Sequence, residues 1–105
     1  MPVASAPQSE VEQLLVRVWA LYEKQDDATG QDWKLAEDLA AQAVKLERAN
    51  ADAWAAYSQA TLGAWVFGYD RTAERLTEAR SRAERALGLA PTSFEARFAV
   101  ANCHR

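Results

Sequence analysis

The chain has 105 residues, the length of one domain, and half of them are hydrophobic, which is enough to form a core. Its formal net charge of −3 argues against nucleic acid or an anionic membrane as the main partner. One cysteine and one histidine exclude an internal disulfide and a cysteine-based zinc site, and they remove most metal and acid–base constellations.

Residues 1–8 are expected to form a flexible tail ahead of one helical domain, residues 9–105. The segment from Met1 to Pro7 lacks a basic region followed by an apolar run, so it does not match an intact signal peptide. No stretch approaches the roughly 18 apolar residues that a membrane helix needs, so we expect no membrane insertion. A cytoplasmic location is favoured, with an exported mature protein as the alternative.

Two helices are predicted in the first half of the chain. Ser9 and Glu12 have the spacing of a capping box, and apolar residues then recur at helical intervals, which predicts a helix over residues 9–25. A turn from Asp26 to Gly30 separates it from a second helix over residues 30–48. The inward residues expected on the second helix are Trp33, Ala36, Ala40, Ala43, Val44 and Leu46.

Three further helices are predicted over residues 51–68, 71–89 and 93–105. Asn50 is a suitable N-cap for the first of these, and Asp70 or Thr72 for the second. The inward residues expected on these two helices are Trp54, Tyr57, Ser58, Thr61 and Trp65, followed by Leu76, Ala79, Ala83, Ala86 and Leu87. The charged residues of the fourth helix mostly avoid that inward face, which predicts a solvated face with local ion pairs rather than a basic binding patch.

The second half of the chain echoes the first at a constant shift of 43 residues, without a gap. The clearest echo is a run of small residues at helical spacing, Ala36, Ala40 and Ala43 in the first copy and Ala79, Ala83 and Ala86 in the second. Such alanines share one helix face and let another helix approach closely. The repeat defines units over residues 8–50 and 51–93 and a partial unit over 94–105. A constant period with one helix pair per unit is typical of an α-solenoid.

These units resemble the tetratricopeptide repeat, whose motif has a Trp-x2-Leu-Gly-x2-Tyr run in its first helix, then Ala-x3-Phe-x2-Ala and a closing proline. The matching residues of the second unit are Trp54, Tyr57, Ser58, Thr61, Ala79, Ala83, Ala86 and Pro91. Those of the first unit are Val11, Leu14, Leu15, Val18, Ala36, Ala40, Ala43 and Arg48. The resemblance implies an all-α fold of about five helices, arranged as antiparallel pairs in a right-handed solenoid.

Three features depart from that family. The 43-residue period exceeds the family's period of about 34. Leu15 and Ser58 stand in place of the first-helix glycine, and Arg48 stands where a proline is usual. A HEAT-like or other helical repeat is the alternative, and the alanine–alanine–proline spacing argues against it.

The resemblance implies a scaffold that binds a protein or peptide partner on a concave face lined by the first helix of each unit. Carried over by position, the groove residues are Glu12, Val16, Trp19, Glu23, Ala55, Gln59, Leu62, Val66, Phe98 and Asn102. Family members that hold a C-terminal carboxylate use lysine, arginine and asparagine on this face, whereas the corresponding places here hold a glutamate, a valine and a glutamine. An extended or helical segment with an apolar anchor fits better, against a strip made of Trp19, Leu62 and Phe98. The alternative is that this strip packs inside the domain.

Catalysis, cofactors and metal ions are not expected. The sequence has no Gly-rich phosphate loop, no nucleophile elbow and no His-x3-His ligand pair. Cys103 and His104 are adjacent, so they point about 100° apart around a helix, and we expect a packing role for both.

Two alternatives to partner binding are self-assembly and origin as a fragment of a longer repeat protein. The predicted fifth helix begins a third unit whose second helix is missing, and an uncovered stacking face leaves apolar surface in water. A homodimer through the fourth and fifth helices would cover that face.

Overall fold

The computed structural model describes residues 9–24, 27–67 and 72–103, which form five α-helices and no strand. The helices are α1 (Glu10–Tyr22), α2 (Gly30–Leu46), α3 (Ala51–Val66), α4 (Ala73–Leu89) and α5 (Phe94–Cys103). The all-α class and the five helices are therefore confirmed, and the ends of each helix lie within three residues of the predicted bounds. The predicted tail over residues 1–8 and the packing role expected for His104 lie outside the described residues.

Each of the first four helices begins at a side chain that accepts a backbone hydrogen bond, which satisfies one of the free amides of its first turn. Ser9 Oγ accepts from the Glu12 amide at 3.1 Å, and the Glu12 carboxylate accepts from the Ser9 amide at 2.9 Å, which is the predicted capping box. Asn50 and Thr72 cap α3 and α4 in the predicted way. Thr29 caps α2, and Thr29 and Thr72 are 43 residues apart.

The alanine stripes of α2 and α4 form the buried faces on which the other helices pack. All six alanines are fully buried: Ala36, Ala40, Ala43, Ala79, Ala83 and Ala86. Each helix contacts the next one along the chain, and α3 also contacts both α1 and α5. The central helix α3 is consequently covered on most sides, and Trp54 packs against both the N-terminal and the C-terminal hydrophobic cluster.

Two arginines of α4 form ion pairs that cross to α2, so the prediction of purely local ion pairs on that helix is wrong for them. Arg75 donates to both carboxylate oxygens of Glu37, at 2.6 and 2.7 Å. Arg82 Nη1 donates to Glu37 Oε2 at 3.0 Å, and its guanidinium lies 3.7 Å from the centre of the Tyr57 ring. The stripe alanines next to these arginines, Ala79 and Ala83, are short, so α4 lies close enough for the long side chains to reach α2.

The indole of Trp33 is fully buried in a small aromatic cluster against α3. It stacks on the Phe67 ring at a centroid distance of 5.4 Å and meets the Tyr22 ring edge-on at 6.0 Å. Gly63 lies under the indole, where an added Cβ atom would come closer than 3.0 Å to three ring carbons. The absence of a side chain at Gly63 is therefore what allows the indole to lie flat against α3.

Candidate functional site

A groove of about 270 Å³ crosses the first turns of α3 and α5 beside α1, and we refer to it as the acidic groove. The lining residues are Glu12, Leu15, Val16, Trp19, Asp52 and Glu95. Three helices that are separated in sequence contribute to it, and all three are odd-numbered. The groove thus lies on the helices for which the family resemblance implies a binding face.

Helix α1 supplies one wall of the acidic groove because four of its residues lie on a single stripe. Glu12, Leu15, Val16 and Trp19 occupy positions i, i+3, i+4 and i+7, which are neighbours on a helix surface. Leu15 is buried and forms the floor, whereas Val16 is 56% exposed. Trp19 is half-buried and is held edge-on by Tyr22 at a centroid distance of 5.4 Å. This wall presents apolar surface to solvent.

The opposite wall carries two carboxylates from equivalent places in successive units. Asp52 lies in the first turn of α3 and Glu95 in the first turn of α5, 43 residues apart. Burial, followed by the charge of Glu95, raises the pKa of the Asp52 carboxyl above its usual value. None of the six lining residues is basic. The groove is therefore negatively charged at neutral pH and contains a pair of carboxylates that repel each other.

Seven of the ten predicted groove residues remain wholly or partly accessible, and the two on α5, Phe98 and Asn102, are half-buried. Glu12, Val16 and Trp19 are brought together in the acidic groove, as expected from their spacing. Glu23 is exposed at the C-terminal end of α1, and Val66 is 48% exposed at the end of α3, but neither lines the groove.

Three predicted groove residues of α3, Ala55, Gln59 and Leu62, are buried, so their assignment to an accessible face is corrected. Ala55 and Leu62 belong to the hydrophobic cluster formed with α4 and α5. The proposed apolar strip is interrupted at Leu62, because α5 packs directly on α3. Phe98 at the far end of that strip is half-buried and stacks on Phe94 at 5.9 Å.

Gln59 joins three helices through its side-chain amide. Its Oε1 accepts a hydrogen bond from Asn102 Nδ2 at 2.8 Å and a longer one from the Tyr22 hydroxyl at 3.5 Å. Its Nε2 donates to the Ala99 carbonyl at 3.4 Å. A buried amide with partners on both sides is satisfied inside the fold. Gln59 therefore joins α3 to α1 and α5 inside the fold and is not accessible to a partner.

Three lining residues, Leu15, Asp52 and Glu95, are absent from the groove that was predicted from the sequence. Asp52 and Glu95 each lie two residues after a helix-capping position, and they are 43 residues apart. The 43-residue shift was therefore the signal in the sequence that could have related these two acidic residues to each other. It did not assign them to the groove because acidic residues in a first helical turn are already explained by the helix dipole.

A second accessible surface lies where α4 meets α5, and we refer to it as the α4–α5 surface. It encloses about 490 Å³ and is lined by Leu87, Pro91, Arg97, Val100 and Ala101. Four of these five side chains are apolar. Phe94, on the same helix as three of them, is 72% exposed.

Cys103 packs inside the domain. It is buried among α3, α4 and α5, with its sulfur 3.5 Å from Ser58 Oγ. Burial raises the pKa of the Cys103 thiol, which keeps it protonated at neutral pH. Within residues 9–24, 27–67 and 72–103, no group of three or more histidine, cysteine or acidic side chains is placed to hold a metal ion.

In the part of the chain that the structure describes, no helix combines the length and the apolar character needed to cross a membrane. Comparison of the chain with family models, with curated proteins and with solved structures gives no match. The roles assigned to residues below come from the geometry of this chain.

Proposed function

We propose that this chain is a non-catalytic protein-interaction module of the tetratricopeptide-like kind, which binds a segment of a partner protein in the acidic groove. In this proposal the helices form antiparallel pairs in a right-handed solenoid. The support is the common register of the two units, since caps and alanine stripes recur at a shift of 43 residues. The contacts of α3 with both α1 and α5 fit the same arrangement.

The observation that carries the proposal is the exposed apolar wall of the acidic groove. Val16 and Trp19 leave apolar surface in water next to charged groups, and a partner side chain that covered this surface would gain the free energy of its burial. The groove is shallow and smaller than the roughly 300–1,000 Å³ of a typical small-molecule site. One or two side chains of a peptide, with the rest of the segment lying along the helices, fit a groove of this size.

The test is a selection of binding peptides followed by a matched pair of variants. A random twelve-residue peptide library would be displayed and selected on the folded chain. The selected peptides would then be measured by fluorescence polarisation against Val16→Lys and Leu46→Lys. Val16 is 56% exposed and Leu46 is 52% exposed, so the two changes are alike except that only Val16 lines the groove.

We expect Val16→Lys to abolish peptide binding and Leu46→Lys to leave it unchanged. Circular dichroism would establish that both variants are folded. Equal binding by the two variants would show that the groove is not the binding site. A selection that enriches no peptide over the support alone would refute the proposed function.

The α4–α5 surface favours a second candidate function, self-association into a homodimer. Its lining is largely apolar, and the neighbouring Phe94 exposes most of its ring. Light scattering at about 100 µM would detect a pair with a dissociation constant near 10 µM. We expect a dimer for the wild type and a monomer for Ala101→Asp, because Ala101 is exposed in the middle of the surface. A monomeric wild type at that concentration would exclude this function.

A further inference from the structure

We propose that the segment bound in the acidic groove presents an arginine, whose guanidinium lies between Asp52 and Glu95 and whose aliphatic stem packs along Trp19. This inference rests on the proposed function and adds the chemistry of the partner. It follows from the charge of the groove, from the kind of surface beside that charge, and from contacts that the chain already makes internally.

The charge of the groove comes from three carboxylates on three helices, with no basic side chain among the lining residues. Glu12 is oriented by its hydrogen bond from the Ser9 amide, and Glu95 accepts a hydrogen bond from the Ser93 hydroxyl at 3.4 Å. These partners are neutral and leave the negative charge in place. Asp52 lies close enough to Glu95 for the charge of Glu95 to add to the effect of burial in raising the pKa of the Asp52 carboxyl. A cation placed between them would remove the repulsion.

The apolar wall distinguishes an organic cation from a metal ion. The carboxylates are not placed as a metal-binding group within the described residues. Trp19 and Val16 instead offer surface to the methylene groups of a long side chain, whose charged end would then reach the carboxylates. A lysine or arginine meets both requirements at once, and a cation beside an indole face gains a further cation–π attraction.

Arginine is favoured over lysine because this chain uses the same contact twice elsewhere. The Arg82 guanidinium lies 3.7 Å from the centre of the Tyr57 ring while it pairs with Glu37. The Arg85 guanidinium lies 5.0 Å from the centre of the Trp54 ring. A planar guanidinium can also donate to two carboxylates in different directions, whereas an ammonium acts as a single point charge.

The experiment repeats the peptide selection on two charge-neutralised chains. The test variant is Asp52→Asn with Glu95→Gln, which removes two charges from the groove while keeping the shape of both side chains. The control is Asp38→Asn with Glu74→Gln, which removes two charges from exposed positions on α2 and α4 that do not line the groove. Circular dichroism would check that each chain is folded before selection.

We expect arginine to be enriched among peptides selected on the wild type and on the control, but not on the test variant. For the best wild-type peptide, replacing its arginine by citrulline, which has the same shape without the charge, should weaken binding about tenfold or more. The same replacement should have almost no effect on the test variant, because the partner carboxylates are gone. Affinity for the wild type should also fall when sodium chloride is raised from about 50 to about 500 mM.

Two results separate failure of this inference from failure of the proposed function. If Val16→Lys abolishes binding but citrulline changes affinity less than about twofold, peptides bind in the groove without an arginine and the inference is overturned. If citrulline weakens binding equally on the wild type and the test variant, the arginine binds elsewhere and the inference is also overturned. If no peptide is enriched at all, the proposed function fails together with it.

Discussion

Replacing Gly63 by alanine should destabilise the protein, although alanine is the better helix former. A Cβ atom at position 63 would come within 3.0 Å of three carbons of the Trp33 indole. That ring is fully buried, and its stacking on Phe67 and its edge contact with Tyr22 limit where it can move. Either the indole or α3 must shift to admit the methyl group.

The expected magnitude is the difference between two opposing effects. Overpacking a well-filled core costs about 1–3 kcal/mol, and the upper end applies here because three ring atoms are approached at once. The gain from replacing glycine by alanine inside a helix is about 1 kcal/mol. We therefore expect Gly63→Ala to lower the free energy of unfolding by about 2 kcal/mol.

Urea unfolding followed by circular dichroism measures this change, with Gly88→Ala as the matched control. Gly88 lies in α4 and a Cβ atom there would meet nothing within 4 Å, so this variant should gain up to about 1 kcal/mol. In a chain that also carries Trp33→Leu, the Gly63→Ala change should lose most of its cost. The reasoning is refuted if Gly63→Ala is as stable as the wild type, or if its cost persists after the indole is removed.

Three further outcomes are expected from urea unfolding of single variants. Glu37→Gln should lower the free energy of unfolding by about 2–3 kcal/mol because it weakens charged hydrogen bonds to two arginines. Asp38→Asn removes only an exposed ion pair and should lower it by less than about 0.5 kcal/mol. Similar costs for both variants would contradict this expectation. Ala83→Leu should overpack the alanine stripe of α4 and lower the free energy of unfolding by about 1–3 kcal/mol. Ala20→Leu, on an exposed face of α1, should have little effect. A tolerated leucine at position 83 would show that the stripe can open. The folded state raises the pKa of Asp52, so the free energy of unfolding of the wild type should fall as the pH rises through and above the normal range for an aspartate. Asp52→Asn should remove that loss, and it should be more stable than the wild type at pH 7 but not at pH 3. An unchanged pH profile in Asp52→Asn would contradict the last expectation.

The helices and their starting points could be predicted from sequence because they depend on local chemistry. A capping box such as Ser9 with Glu12 needs only residues three positions apart, and the alanine stripes follow from helical periodicity alone. The groove wall on α1 was predictable for the same reason. Val16 and Trp19 share a stripe with Glu12, and the stripe faces solvent because α1 is covered on one side only.

The contribution of α3 could not be predicted in the same way. This helix is packed by its neighbours on several sides, so its buried residues run almost without interruption from Ala53 to Ala64 and no polar face marks the side toward the groove. Gln59 has the polarity of a surface residue, yet its burial is compensated by groups on α1 and α5 whose convergence depends on tertiary structure. Periodicity gives the faces of a helix, but not how many of those faces another helix will cover.

The double ion pair at Glu37 bears on how the domain opens. Local unfolding of α4 alone would withdraw Arg75 and Arg82 together and leave the mostly buried Glu37 carboxylate on α2 without a counter-charge. Such an opening loses the charged hydrogen bonds of Glu37 in addition to the packing contacts, so partial openings that separate these two helices become rarer. We therefore expect the backbone amides of α2 and α4 to exchange their hydrogens with solvent at similar rates, despite the intervening helix in the sequence.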